Sequence, residues 1–521
     1  MTQTPQKCGT VLPVPGECNI LITSAHPYVN NVPHLGNLIE STLSADVLQD
    51  TVEEEDITRS MCTDEYGTTS ETRALIEDFT PKQLCDKYHD IHDDVYKCQL
   101  LDPLELKNPR CKVDGATPVK KETKHIFLEL DKLQSEIEPW FQQAASFGAW
   151  SNNGKEITSA WLKEGLKTRS ITRDIKWGTP VPLPGYEVKV IYAWFDACIG
   201  YVSITANYTN EWQKWWHNPD DVYQFLGKDN VSCHTVIFPG TQIGTRDTWT
   251  KVHHLSTDYL TYEGGKFSKS RGIGVSGDSA QKTGVPSDVW HYYLVSHRPK
   301  TGDTEFNWDS FISANNNILL KNLGNFVNRV AKFVNSAKFN DIVPVYTQYH
   351  ENFFDTWKNQ VNTLLTDYID KLEAVKIRGA LATVLSISQQ GNLFLQSNNL
   401  DNKLAADESS KYAAIIGLAV NLIHLLASLV SPFMPETADS INAQLCAKAL
   451  PIPDHWDANS IKPGHEISKA ILLFSSLNPE KASEWRGSFG GQEAQKVKEE
   501  EAARKAAKKA AKGIKAHEGW N

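Results

Sequence analysis

A chain of 521 residues is too long for one hydrophobic core and divides into two or more domains. Its apolar share of 40% and charged share of 22% are those of an ordinary soluble globular protein, and a formal net charge of −10 excludes a global electrostatic attraction to nucleic acid. A polyanionic partner must therefore meet a local basic surface.

Met1 to Glu17 is polar and Pro-containing, without an apolar core or an Arg-rich amphipathic pattern. Neither a secretory nor an organellar signal is expected from it. The nine cysteines, Cys8, Cys18, Cys62, Cys85, Cys98, Cys111, Cys198, Cys233 and Cys446, are spread thinly, which fits reduced thiols in the cytosol better than a disulfide framework.

Asn19 to Thr23 is a short apolar run ending in Ser24-Ala25-His26-Pro27, a buried strand entering a loop. A helix is expected to start near His34 and to run through Leu38, Leu43, Ala45 and Val47. Strand, loop and helix in that order make the nucleotide-binding first unit of a doubly wound sheet. Val188 to Trp194 and Thr235 to Pro239 read as further buried strands, with an aromatic helix between Glu211 and Asn218. From about Trp308 the pattern becomes helical: Trp357, Val361, Leu364, Leu365, Tyr368, Ile369 and Leu372 trace one apolar stripe. Thr383 to Phe394 and Tyr412 to Val430 continue it, giving a helical bundle. Tyr412 to Val430 has the length of a membrane span, but Gly417, Asn421 and His424 make it a buried bundle helix, and no membrane partner is expected. After Trp485 come Gly487, Gly490 and Gly491 and then an Ala/Lys/Glu-rich tail.

Two motifs carry chemistry. His34-Leu35-Gly36-Asn37 follows the first strand, where a histidine at a helix start can donate to a phosphate and a glycine lets a base approach the backbone. Lys266-Phe267-Ser268-Lys269-Ser270, between Gly264-Gly265 and Arg271-Gly272, sets two lysines in a glycine-flanked loop suited to a transferring phosphate. In this order and separation they resemble the paired signatures of class I aminoacyl-tRNA synthetases. The residues around them narrow the resemblance to methionyl-tRNA synthetase of the eukaryotic cytosolic kind. These are Pro27 to His34, Thr63-Asp64-Glu65-Tyr66-Gly67-Thr68, Trp194-Phe195-Asp196-Ala197, Ile199-Gly200-Tyr201 and Gly227-Lys228-Asp229-Asn230, and the resemblance covers most of residues 19–480.

The resemblance implies an α/β fold: a Rossmann-like doubly wound parallel sheet followed by an α-helical anticodon-binding bundle. The catalytic domain would span 17–307 with a remnant of a connective insertion near 98–120. The bundle would span 308–450, its C-terminal extension 451–485, and the link and tail 486–521. The implied function is a cytoplasmic methionine–tRNA ligase. It would join methionine to ATP, with Mg2+ on the phosphates, as methionyl-adenylate and pass it to tRNA(Met). No step needs a covalent protein nucleophile, so rate must come from positioning and charge stabilisation.

Carried over by position, His34, Lys266 and Lys269 would be catalytic, and ATP would also meet Gly36, Asn37 and Ser268. Ala25, His26, Tyr28, Asp64, Trp194, Ala197, Tyr201 and His234 would bind methionine, with Asp64 on the α-amino group and the rest around the thioether. Asn325, Arg329 and Trp456 would read the anticodon.

Three departures stand out. His26 replaces an apolar residue of the family's methionine pocket; unpaired, it costs roughly a few kcal/mol. Gln49 to Cys62, where the family has a helix end and a buried strand, carries four acids in a row, Glu53 to Asp56, and then Arg59, and reads as a solvated loop. Thirdly, Lys97-Cys98 runs almost directly into Leu101 to Cys111, so a strand, its helix and most of the insertion are missing. Cys98 and Cys111 lack a Cys-x-x-Cys partner, and no zinc is expected. A loss inside the sheet leaves a competing reading, a non-catalytic tRNA-binding relic or defective variant; a sister synthetase for another amino acid fits the Trp194–Tyr201 block less well. In the tail, Arg504, Lys505, Lys508, Lys509, Lys512 and Lys515 recur by threes and fours, a basic stripe for tRNA phosphates or for a multisynthetase or other protein partner.

Overall fold

The structure is a computed structural model that describes residues 12–16, 19–25, 33–50, 74, 79–92, 122–217, 221–246, 252, 254–256, 259–265, 267, 273–299, 302–346, 354–400 and 402–491. The chain divides into two compact units, residues 1–45, 56–259 and 299–303, and residues 46–55, 260–298 and 304–521.

The first unit is built on a four-stranded sheet. Strands β1 (Ile20–Ser24), β2 (Ala149–Trp150), β3 (Asp221–Phe225) and β4 (His254–Ser256) lie in the order β1-β3-β4-β2, every pairing parallel. The longest pairing aligns Ile20–Ser24 with Asp221–Phe225 residue for residue. This is the parallel α/β architecture expected from the sequence, and helices cover it as such a sheet requires. Helix α1 starts at Leu35 and runs through three consecutive pieces, Leu35–Asn37, the wider-turned Leu38–Thr42 and Leu43–Gln49. A short helix α2 (Pro81–His92) buries Leu84 and Cys85 against Ala74 and Trp177.

Helices α3 (Leu130–Phe147) and α4 (Asn152–Glu164) supply the largest part of the core through Leu130, Ile137, Phe141, Ala144 and Leu162. Ser151 caps α4, its Oγ accepting from Gly154 N at 3.1 Å. Helix α5 (Ala193–Tyr208) and α6 (Phe238–Gly244) complete the layer. At Gly240 a β-carbon would stand 2.9 Å from Leu130 Cδ2 and 3.2 Å from Ile137 Cδ1, so glycine is what lets α6 lie on α3.

Two expected strands are something else. Of Val188 to Trp194 only Val190–Ile191 is extended, paired antiparallel with Thr172–Arg173, and Ala193 already begins α5. Thr235 to Pro239 is helical, the wide turn Cys233–Ile237 running into α6. A short apolar run buried on all sides carries no period that separates strand from helix. Here Thr235 Oγ1 settles into a helical bond to Val231 O at 2.9 Å and meets Thr158 Oγ1 at 2.7 Å. The central strand is instead Asp221–Phe225, disguised by its polar Gln224.

In the second unit β5 (Leu260–Tyr262) pairs in parallel with β6 (Thr304–Phe306) beside α7 (Ser287–Ser296). A long helix, α8, then runs through Trp308–Ser313, Ala314–Gly324 and Asn325–Val334. It is followed by α9 (Asp355–Glu373), α10 (Ile377–Ser397), α11 (Ser409–Val430), α12 (Pro435–Leu445) and α13 (Lys481–Phe489). The helical periodicity read from Trp308 onward is realised in these elements.

Among the described residues α11 is the one helix long and apolar enough to cross a membrane, and its apolar window is wholly buried inside the unit. Its polar residues explain why. Asn421 donates to Ile461 O at 3.2 Å and accepts from Ile461 N at 2.8 Å, while His424 Nε2 meets Lys448 O at 2.9 Å. These bonds staple the irregular chain after α12 onto the helix. Residues 51–73, Cys98, Cys111 and the basic tail, with most of the Gln49 to Cys62 segment read as a solvated loop, lie outside the described residues.

Gln224 is fully buried on β3, and among the described residues neither of its amide atoms has a hydrogen-bond partner. A buried orphan amide costs roughly 1–3 kcal/mol, so Gln224→Leu is predicted to raise stability by about that amount. The urea midpoint of the two chains measures it; an unmoved or lower midpoint would show that the amide is satisfied in solution.

Candidate active site

The parallel register brings the first motif to the carboxyl edge of the sheet, where such folds bind nucleotides. β1 ends at Ser24, and Ala25 N donates to Phe225 O at 2.9 Å, fixing the strand's exit to β3. His26 and Tyr28 lie outside the described residues. Half-buried His34 stands at the N-cap of α1 in extended backbone (φ −100°, ψ 165°). Its Nδ1 accepts from Asn37 N at 3.3 Å, which leaves Nε2 as the ring nitrogen carrying hydrogen in the neutral form. Gly36 is buried in the first turn.

Of two polar atoms here, one belongs to Asn37, which the sequence singled out, and one to Ser24, which it did not. Ser24 Oγ, at the end of β1, and Asn37 Oδ1, in the first turn of α1, are buried without a hydrogen-bond partner among the described residues. Buried polar atoms are normally paired, so these two mark the strand end and the helix start as places with hydrogen-bonding capacity to spare.

Helix α5 supplies an aromatic wall. Trp194, Ala197 and Tyr201 fall at i, i+3 and i+7, on one helix face. Ala25, Tyr201 and the partly buried Trp194 belong to one apolar cluster with Leu226, Val231 and Phe238. His234, 5% exposed, joins it through a 2.7 Å bond between Nε2 and Tyr201 Oη. Nδ1 lies 2.8 Å from Asn230 O, which can only accept, so Nδ1 carries the hydrogen and Tyr201 donates to Nε2. Burial pushes His234 down to about 4, so this pair is uncharged at neutral pH. A wall of two large rings and a neutral hydrogen-bonded pair suits an apolar, polarisable side chain.

In the second unit, Phe267 is the described member of the lysine motif; Lys266, Ser268 and Lys269 lie outside the described residues, as does Asp64. The loop's stems are fixed by Glu263 and Arg486, neither of which the sequence pointed to.

The bundle presents a separate polar face. Asn325 and Arg329 are exposed on α8, beside the buried Phe326, Val327 and Val330. Trp456 is placed elsewhere: it is 5% exposed, packed edge-on against Trp357 at 5.5 Å, with its backbone N donating to Asn362 Oδ1 at 2.7 Å. Trp357 is itself stacked on Phe394 at 3.9 Å, and both line a groove of about 620 Å³ with Gln360, Gln390 and Gln396.

Comparison with known proteins gives a consistent picture. The family model described as tRNA synthetases class I (M) matches residues 20–100 and 97–331, and that of the anticodon binding domain of methionyl tRNA ligase matches residues 344–494. The first match falls into two pieces that overlap at residues 97–100, where Lys97-Cys98 runs toward Leu101. The cytoplasmic methionine–tRNA ligase of Saccharomyces cerevisiae is 46% identical, covering 94% of this chain and 75% of the relative. That alignment runs over 568 positions, more than the 521 residues of the chain, so the relative carries residues with no counterpart here. The probable cytoplasmic methionine–tRNA ligase of Schizosaccharomyces pombe is 47% identical, covering 92% of this chain and 72% of its own. In fold, a methionyl-tRNA synthetase of Mycobacterium tuberculosis bound by methionyl-adenylate superposes with a TM-score of 0.75 over 88% of this chain and all of that one, at 16% identity.

The neutral His234 makes a pH prediction. Its folded value lies below its unfolded value of 6.5, so protons favour the unfolded chain, and the stabilisation present above pH 6.5 is lost as pH falls toward 4. In that window the urea midpoint of the native chain is expected to fall more steeply than that of His234→Gln, which takes up no proton; parallel slopes would count against the assignment.

Proposed function

The chain belongs to the methionyl-tRNA synthetase family of class I tRNA synthetases, and from that premise we propose how its residues divide the work. It is a methionine–tRNA ligase of the cytoplasmic type, activating methionine with ATP and acylating tRNA. Identity of 46% over nearly the whole chain, spanning both the catalytic and the anticodon part, carries this reading.

In the proposed division, the methionine carboxylate attacks the α-phosphate of ATP and pyrophosphate departs. His34, at the α1 N-terminus, would donate to the phosphates, where the helix end already favours negative charge. Lys266 and Lys269 would meet the charge that develops on the leaving phosphates, with Ser268 beside them. Gly36 and Asn37 would sit against the nucleotide. Asp64 would hold the α-amino group. Ala25, Tyr28, Trp194, Ala197, Tyr201 and His234 would surround the thioether, and His26 would add a polar group to that wall. The neutral Tyr201–His234 pair supports this, since it adds no charge to an apolar pocket.

Magnesium would travel on the nucleotide phosphates, the usual way that ion is held where a protein offers few oxygen ligands. No cluster of three or more acidic, histidine or cysteine side chains occurs among the described residues to hold it otherwise. Asn325 and Arg329 would pair with exposed anticodon bases, a reading supported by their exposure on one face of α8.

Methionine-dependent ATP–pyrophosphate exchange tests the assignment. The native chain is expected to exchange, and Lys269→Ala to lose on the order of a hundredfold. Exchange by the native chain no greater than that of the variant would leave a tRNA-binding relic. We further propose that the chain binds no structural zinc, because Cys98 and Cys111 have no Cys-x-x-Cys partner; stoichiometric zinc by elemental analysis would refute this.

A further inference from the structure

The segment that carries the two lysines runs between two stems, and one helix of the same unit holds both. At the entry, β5 ends in a tight turn: Tyr262 N donates to Gly265 O at 2.7 Å and Gly265 N to Tyr262 O at 2.9 Å. The turn needs left-handed backbone at Glu263 (φ +45°) and at Gly264 (φ +78°). Glycine adopts this freely, whereas at glutamate it is strained and persists only where the surroundings impose it. What imposes it is the Glu263 carboxylate. Oε1 accepts from Trp308 N at 2.9 Å and from Arg486 Nε at 3.1 Å, and Oε2 accepts from Asn307 Nδ2 at 3.3 Å. Arg486 also donates from Nη2 to Asp309.

At the exit, Gly274 N donates to Phe489 O at 2.8 Å and Ile273 pairs with Gly490 in an antiparallel bridge. Gly274 has φ +109°, and a β-carbon there would stand 2.2 Å from the Phe267 ring, which also lies 5.5 Å from the Tyr262 ring. Helix α13 therefore grips the entry through the Arg486 side chain and the exit through its last carbonyl. Its own seat is aromatic, with Trp485 at 4.8 Å and Phe489 at 5.7 Å from Trp308.

We infer that Arg486 is a positioning residue for the adenylation step, fixing Glu263 so that the lysines beyond Gly265 are presented to the ATP phosphates. The inference rests on reading Lys266 and Lys269 as the phosphate-binding lysines. Magnitudes favour orientation over stability. Arg486 and Glu263 are 33% and 21% exposed, and ion pairs in contact with solvent add little to folding. A guanidinium instead supplies a rigid fork reaching two carboxylates at fixed angles, which a lysine cannot copy. Misplacing a phosphate-binding group by a fraction of an ångström is enough to slow transfer.

The test uses the full chain in pyrophosphate exchange, varying ATP and methionine separately, with thermal melts alongside. Arg486→Ala is expected to lower kcat/KM for ATP by about tenfold with the KM for methionine held within about twofold, as expected of lost positioning rather than lost substrate binding. Glu263→Gln, which keeps the shape and removes the charge, is expected to show the same split, and Arg486→Lys to recover part of the loss. Lys269→Ala runs in parallel. If that variant exchanges normally, the phosphate reading fails and takes this inference with it. If Lys269→Ala is inactive while Arg486→Ala and Glu263→Gln keep native kinetics for ATP, the inference alone is overturned. Equal losses toward both substrates with a lowered melting temperature in both Arg486→Ala and Glu263→Gln would reduce Arg486 to a structural role, and that also overturns it.

Discussion

The first unit depends on one backbone pairing, the parallel register of Ile20–Ser24 on Asp221–Phe225. It sets where β1 ends, and so where Ala25 and the N-terminus of α1 emerge. It also sets where β3 ends, and so where the chain turns into the helical segment that carries His234. Parallel strands deliver both ends to the same edge, and that edge is where loops, helix N-termini and orphan polar atoms collect. A shift of one residue would reverse every side chain of β1 and move Ala25 off the apolar cluster.

That pairing is unevenly supported. Val222, Tyr223 and Phe225 are buried apolar side chains, but Gln224 lies among them with an unpaired amide. The strain falls in a unit whose matching family segment is broken at residues 97–100. The second unit also mixes satisfied and unsatisfied buried groups. Asn421 and His424 on α11 find backbone partners, whereas in the aromatic set around Trp308 the indole Nε1 of Trp290 is buried without a partner among the described residues. Stacked and edge-on rings at 4.8–5.8 Å, with Trp308 Nε1 donating to Tyr262 Oη at 2.9 Å, give β5 a rigid base just before the lysine loop.

The candidate site residues divide between the two units. The apolar wall of Trp194, Tyr201 and His234 is carried by the sheet unit, whereas the stems of the lysine loop are carried by the unit that also holds the bundle. The described residues on either side of that segment take their support from packing within the helical unit, where Arg486 holds the Glu263 carboxylate.

Much of this was legible in the residues. The α/β class, the helix beginning at His34, the bundle from Trp308 and the burial of Tyr412 to Val430 follow from local periodicity and from the order of motifs, because both are properties of neighbouring residues. The motifs also identified the family, since two short patterns at a fixed separation carry more information than either alone. Four things were decided only by the folded chain. Val188 to Trp194 and Thr235 to Pro239 look like strands because burial on all sides erases the period that would mark a helix. Gln224 looks like a surface residue because nothing local announces that its strand is central. Trp456 looks like a free aromatic until Trp357 and Asn362 enclose it, and Glu263 and Arg486, 223 residues apart, have no relation until packing brings them to 3.1 Å. Contacts across such separations depend on which faces the whole chain buries, a choice made by the sum of the core and not by any segment of it.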